Sequence, residues 1–155
     1  MMNIASTRHD EDGVLKLEEF LPYQLSRCSE QVSSLFAQHY SSQFSLSIRQ
    51  WRVLAVLGER KELIADDICK ITGMDKVTVS RAIRELQNQG RVTRSRSTSD
   101  GRRVNLMLSK KGKSLYDEII PLAHAFENRL LEEFSLAEIR LLMGLLARLC
   151  HTECL

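Results

Sequence analysis

The sequence has no apolar run long enough to cross a bilayer. A helical span needs about 18 or more such residues, whereas the most apolar stretch, Leu141–Leu149, is short and contains Arg148. The first residues, MMNIASTRHDEDG, have no extended apolar core of the kind a secretion signal carries. Residues 1–13 read as a disordered tail, and the chain as cytoplasmic with no membrane partner. Cysteine is sparse: Cys28, Cys69, Cys150 and Cys154 form no CxxC pair, and the four histidines are scattered. A zinc site is not expected from such spacing, and cytoplasmic thiols stay reduced. There is no Ser–His–Asp or Cys–His arrangement, no glycine-rich phosphate loop and no paired-carboxylate motif. Neither enzymatic activity nor a cofactor is expected.

What is present is enough for one domain. The chain has 155 residues, 43% apolar and 27% charged, so it can bury a core without metal or disulfide support. Its net charge is only +2, but from Lys70 to Lys113 there are 12 Lys/Arg against 3 Asp/Glu. That segment carries +9 and the rest −7. Such a concentration points to a polyanionic partner, nucleic acid above all.

Periodicity gives a mainly α fold with a small β wing. Leu17, Leu21, Leu25, Cys28, Val32 and Leu35 form one stripe of a helix over about 15–40, with Pro22 either starting its regular part or kinking it. Ser47 and Gln50 fit a capping box for a helix ending at Gly58. Two shorter helices follow, about 65–71 and 75–90, closed by Gly73 and Gly90. A tight glycine turn between two helices is a helix-turn-helix. After Gly90 the pattern alternates: residues 91–97 and 104–109 read as strands joined by Asp100-Gly101, a strong hairpin signal. A hairpin behind a helix-turn-helix makes a winged helix. Ser109 caps a helix over about 110–133, with Pro121 inside it, and Ser135 with Glu138 caps the last. The resulting division is a tail (1–13), an N-terminal dimerisation helix (14–45), a winged helix-turn-helix lobe (46–110) and C-terminal dimerisation helices (111–155).

The second helix of the motif is the one that enters a major groove. Val77, Val79, Ala82, Ile83 and Leu86 compete for its inward face, with Val79, Ile83 and Leu86 the core set. Lys76, Thr78, Ser80, Arg81 and Arg84 are left facing outward. On the wing, Arg102 at the tip suits a narrow minor groove, whose negative potential attracts a guanidinium. Asp100, two positions earlier, can hold that guanidinium in one orientation. Arg94, Arg96 and Arg103 would meet phosphates, which supply affinity and salt dependence without sequence choice.

These residues resemble the MarR family of bacterial transcription regulators. The wing reads Asp100-Gly101-Arg102, and the strand after it ends in Leu108-Ser109-Lys110-Lys111-Gly112. Upstream, Gln50-Trp51-Arg52-Val53-Leu54 and Gly73-Met74-Asp75-Lys76-Val77-Thr78-Val79-Ser80-Arg81 also match the family's phrasing. The resemblance is strong over Leu46–Gly112. One departure is Ile64-Ala65, standing where Thr or Ser commonly caps the first helix of the motif.

The resemblance implies a homodimer built on the first and last two helices. Such a dimer would bind a pseudo-palindromic duplex operator, with half-sites about one helical turn apart. It implies a repressor released by a small aromatic or phenolic ligand, or by an oxidant. Tyr23, Arg27, His39, Tyr40, Trp51 and Arg52 are candidates for lining an effector crevice, with Trp51 also reading as core. A peroxide-sensing branch uses a cysteine early in its first helix. Cys28 is the redox candidate here, although that position aligns near Pro22; a buried small apolar residue is its competing reading. Two other functions use the same elements: a winged-helix protein-interaction module, and an activator or anti-silencer of the same family.

Overall fold

The computed structural model describes residues 14–96 and 104–151. The chain enters through a 3-10 turn, Leu17–Glu19, and helix α1 spans Leu21–Ala37. Pro22 lies in the first turn of α1, where a helix loses nothing by lacking an amide hydrogen. The proline therefore starts the helix and does not kink it. A one-turn helix, α2 (Ser41–Phe44), leads to α3 (Ile48–Arg60). The expected capping box opens α3: Gln50 N donates to Ser47 Oγ at 3.3 Å, and Ser47 N donates to Gln50 Oε1 at 2.8 Å. Then come β1 (Glu62–Leu63), α4 (Ala65–Thr72), α5 (Lys76–Asn88), β2 (Val92–Arg96), β3 (Val104–Leu108), α6 (Lys110–Leu130) and α7 (Leu136–Cys150). The antiparallel sheet has the order β1-β3-β2, with Leu63 and Arg94 both opposite Leu106. The fold is mainly helical, a winged helix-turn-helix.

Gly73 and Gly90 sit at φ 68° and 70°, the left-handed conformation that ends a helix at little cost. Gly58 does something else. α3 continues past it to Arg60 and closes at Lys61, two residues beyond the expected end. A Cβ on Gly58 would come within 2.6 Å of Tyr116 Cζ, so this glycine admits the α6 side chain against α3.

The core joins α3, α4 and α5 through Leu54, Leu57, Ile68, Val79, Ile83 and Leu86. Val92 and Leu106 bring in the sheet, and Leu115 and Ile119 bring in α6. Each such side chain contributes roughly 1.5–3 kcal/mol when fully buried. Tyr40, 0% exposed, belongs to the same cluster. It meets Phe36 edge-on at 4.9 Å between ring centroids and Trp51 at 5.8 Å. Its hydroxyl is buried with no hydrogen-bond partner among the described residues. Burial pushes that phenol up to about 12, with the Arg52 charge acting the other way.

An unpaired buried hydroxyl costs about 1–3 kcal/mol, so Tyr40→Phe should be neutral or stabilising at pH 7. The pH dependence has a definite sign. The folded phenol holds its proton up to about 12 against a reference of 10.0. Its titration therefore leaves stability unchanged below pH 10 and lowers it as pH rises toward 12. Thermal melts at pH 7 and above pH 10 should show the variant missing that part of the alkaline slope. A loss above about 1 kcal/mol at pH 7 would contradict the unpaired hydroxyl.

α1 and α7 bury none of their residues in the subunit. Leu21, Leu25 and Leu35 of α1 are exposed, as are Leu136, Leu142, Leu145 and Leu146 of α7. Leu141 and Met143 are 63% and 62% exposed. Among the described residues no helix is long and apolar enough to cross a membrane.

Candidate nucleic-acid interface

Helix α5 is divided along its length. Val79, Ala82, Ile83 and Leu86 are buried, and Lys76, Ser80, Arg81 and Arg84 are exposed. The inward set includes all three residues that the spacing placed in the core. Asp75 caps the helix: its Oδ1 accepts from Thr78 N at 2.9 Å and its Oδ2 from Thr78 Oγ1 at 2.6 Å. Those bonds, the hydroxyl's first, hold the Asp75 carboxyl below the usual carboxylate range. The Thr78 hydroxyl proton is therefore committed to the cap, and toward a base this side chain offers its oxygen and methyl group.

Two interactions fix α5 against the motif. Gln50, 5% exposed, donates through Nε2 to Glu85 Oε2 at 2.8 Å, tying α3 to α5. Lys76 Nζ lies 3.2 Å from Asp66 Oδ1 on α4, an exposed pair worth at most about 1 kcal/mol. Ile64 caps α4 without any side-chain bond, and Asp66 and Asp67 occupy its first turn instead, where the helix dipole favours carboxylates. Asp75 and Glu85, acids of the basic segment, are thus both engaged internally. Arg81, Arg84 and Arg94 form no ion pair among the described residues.

A cleft of about 310 Å³ lies between α5 and the sheet. Ser80 and Arg84 line it from the helix and Arg94 from β2, with Ile83 and Leu106 among its apolar residues. Arg94 is exposed. Arg96 pairs with Val104 at the outer end of the ladder. Asp100, Arg102 and Arg103 lie outside the described residues. Arg91, though basic, is taken up by the fold. It donates to the carbonyls of Phe44 and Ser45, and desolvation lowers its pKa.

Residues 44–103 match the model of the MarR family, and this is the stretch that builds the helix-turn-helix and its wing. Over its winged-helix lobe the chain resembles the MarR family. That match supports a winged-helix, DNA-binding role in transcription regulation. It is similar to the HTH-type transcriptional regulator FarR of Neisseria gonorrhoeae, 28% identical over 112 residues, covering 72% of this chain and 77% of that one. A MarR/EmrR family regulator of Acinetobacter sp. ADP1 superposes with a TM-score of 0.80 at 26% identity, over 87% of this chain and 95% of the other. NadR, in complex with 4-hydroxyphenylacetate, gives a TM-score of 0.72 at 26% identity, over 84% and 92%.

The six MarR-type effector candidates do not gather in one place. Tyr23 and Arg27 stack on each other on α1, the guanidinium 5.9 Å from the ring centroid. They lie about 20 Å (Tyr23) and about 14 Å (Arg27) along the helix axis from Phe36, at 1.5 Å rise per residue. Tyr40 is core, and Trp51 is packed against it, as its core reading had it. Arg52 Nη2 donates to Ser33 Oγ at 3.2 Å. His39 faces Phe126 at 5.7 Å and lines a cleft of about 220 Å³ with Leu35, Gln38, Arg129 and Leu130. Phe126 and Arg129 were not singled out from the sequence; their positions on α6 carry no motif, and only packing brings them to His39.

Cys28 is exposed in the subunit, which corrects its reading as a buried apolar residue. It shares the α1 stripe of Leu21, Leu25 and Leu35, which the subunit itself leaves bare.

Proposed function

We propose that the protein is a homodimeric repressor that binds a pseudo-palindromic operator. The observation that carries the reading is the division of α5. Its apolar positions are spent on the core, and its outward face is a row of unpaired or weakly paired cations beside the arginine-lined cleft of the wing. Each lobe would place α5 in a major groove and the wing tip in the adjacent minor groove. Pairing through the bare faces of α1 and α7, with α6 alongside, would present two lobes about one helical turn apart. Binding to duplex DNA should fall steeply with salt, with a slope of about −0.9 per phosphate neutralised. Absence of binding at micromolar protein would favour the protein-interaction reading.

The effector in this reading is a small aromatic or phenolic compound whose binding favours one lobe spacing over another. The aromatic cleft between α1 and α6 supports it, as does the ligand named for NadR. At the wing, Arg102 is the minor-groove residue and Asp100 its positioning partner. Arg102→Ala should weaken operator binding at least tenfold while the dimer mass is unchanged; an unaltered Kd, read by fluorescence anisotropy, would refute the wing assignment.

A further inference from the structure

Val77 is the one apolar residue on the face that α5 turns outward. It is 59% exposed, the second residue of the helix, flanked by exposed Lys76 and followed by exposed Ser80 and Arg81. Sequence spacing left it among the candidates for the core; the subunit buries Val79, Ala82, Ile83 and Leu86 and leaves Val77 bare. An isolated exposed valine is ordinary on a protein surface. This one sits in the first turn of the helix that enters the groove, and in a helix-turn-helix the N-terminal residues of that helix are the ones that reach base edges. Its surroundings are cationic, which fits a nucleic-acid surface and does not fit an apolar protein partner.

A major groove offers one apolar group, the 5-methyl of thymine. We propose that Val77 selects a thymine in each half-site by packing its γ-methyls on that group. The inference rests on the operator reading above. Discrimination would come from burying one methyl group, which corresponds to about a fourfold change in affinity. Lys76, Ser80 and Arg81, which carry donors and acceptors, would read or anchor neighbouring positions, while Val77 would supply a contact that no hydrogen-bonding residue can make. A cytosine at the same place would present an amino donor to a side chain unable to accept from it.

The test uses the full-length protein and an operator duplex recovered by selecting bound genomic fragments. Each thymine is replaced singly by deoxyuridine, which removes the 5-methyl and leaves the hydrogen-bonding edges intact. The wild type should lose about fourfold in affinity at one thymine per half-site. Val77→Ala should bind the unmodified operator more weakly and be indifferent to deoxyuridine at that same position. Since the side chain is exposed, this variant should melt within a degree or two of wild type. The proposal is overturned if no deoxyuridine affects the wild type, or if Val77→Ala remains as sensitive as wild type at the same thymine. Failure to enrich any sequence would overturn the operator reading itself, and the assignment of Val77 with it.

Discussion

Gly112→Ala should lower the melting temperature by roughly 10 °C, the equivalent of about 3 kcal/mol for a chain of this size. Gly112 is buried near the start of α6. Its amide donates to Ser109 Oγ at 3.0 Å. The same hydroxyl donates to Gly90 O at 2.7 Å, and Ser109 N donates to Arg91 O at 3.0 Å. The start of α6 is thereby clamped on the turn that leaves the recognition helix. A Cβ on Gly112 would lie 2.9 Å from the Arg91 carbonyl carbon and closer still to its oxygen. That obstacle is backbone, so no rotamer change relieves it; the clamp must open or the helix must shift. DNA affinity should fall as well, because the Arg91 turn connects α5 to the wing. A thermal melt by circular dichroism decides it: a variant within about 2 °C of wild type would show that α6 is not seated as described.

The second large effect is expected at α7. Leu142→Glu with Leu146→Glu should convert a dimer to a chain of 17.8 kDa by sedimentation equilibrium. Operator affinity should drop at least a hundredfold, since the second half-site is then no longer held at high effective concentration. The reason is the distribution of apolar surface. No α7 residue enters the core, yet the helix carries leucine at 136, 141, 142, 145, 146 and 149, all exposed in the subunit. A contiguous apolar face of that kind is a partner surface. The core of the lobe, built from α3 to α6 with the sheet, does not depend on it, so the double variant should stay folded. A wild-type protein that sediments as a single chain, or a variant that remains dimeric, would contradict the dimerisation reading.

Much of this was legible in the residues because local chemistry and tertiary packing agree. Ser47 with Gln50 and Ser135 with Glu138 form the reciprocal caps expected of them. The spacing of Val79, Ile83 and Leu86 identified the buried face of α5, and Gly73 and Gly90 lie where left-handed caps were placed. What escaped was decided by contact at a distance. Gly58 resembles a helix stop but accommodates Tyr116 from a helix more than fifty positions later. β1 has two residues, too few for any alternation, and exists because β3 offers it a ladder. Tyr40 reads as a candidate for the effector crevice and is core because Phe36 and Trp51 enclose it. Thr78 reads as a free polar group, yet its hydroxyl serves the Asp75 cap. Val77 was ambiguous by spacing alone, since a helix residue beside the core stripe can turn either way.

Operator recognition as proposed requires two identical lobes reading neighbouring grooves of one duplex. Sequencing the genomic fragments retained by the purified protein tests that most directly. The predicted result is an enriched inverted repeat whose half-sites are centred about one helical turn apart. Enrichment of a lone asymmetric site, or of no sequence at all, would contradict it.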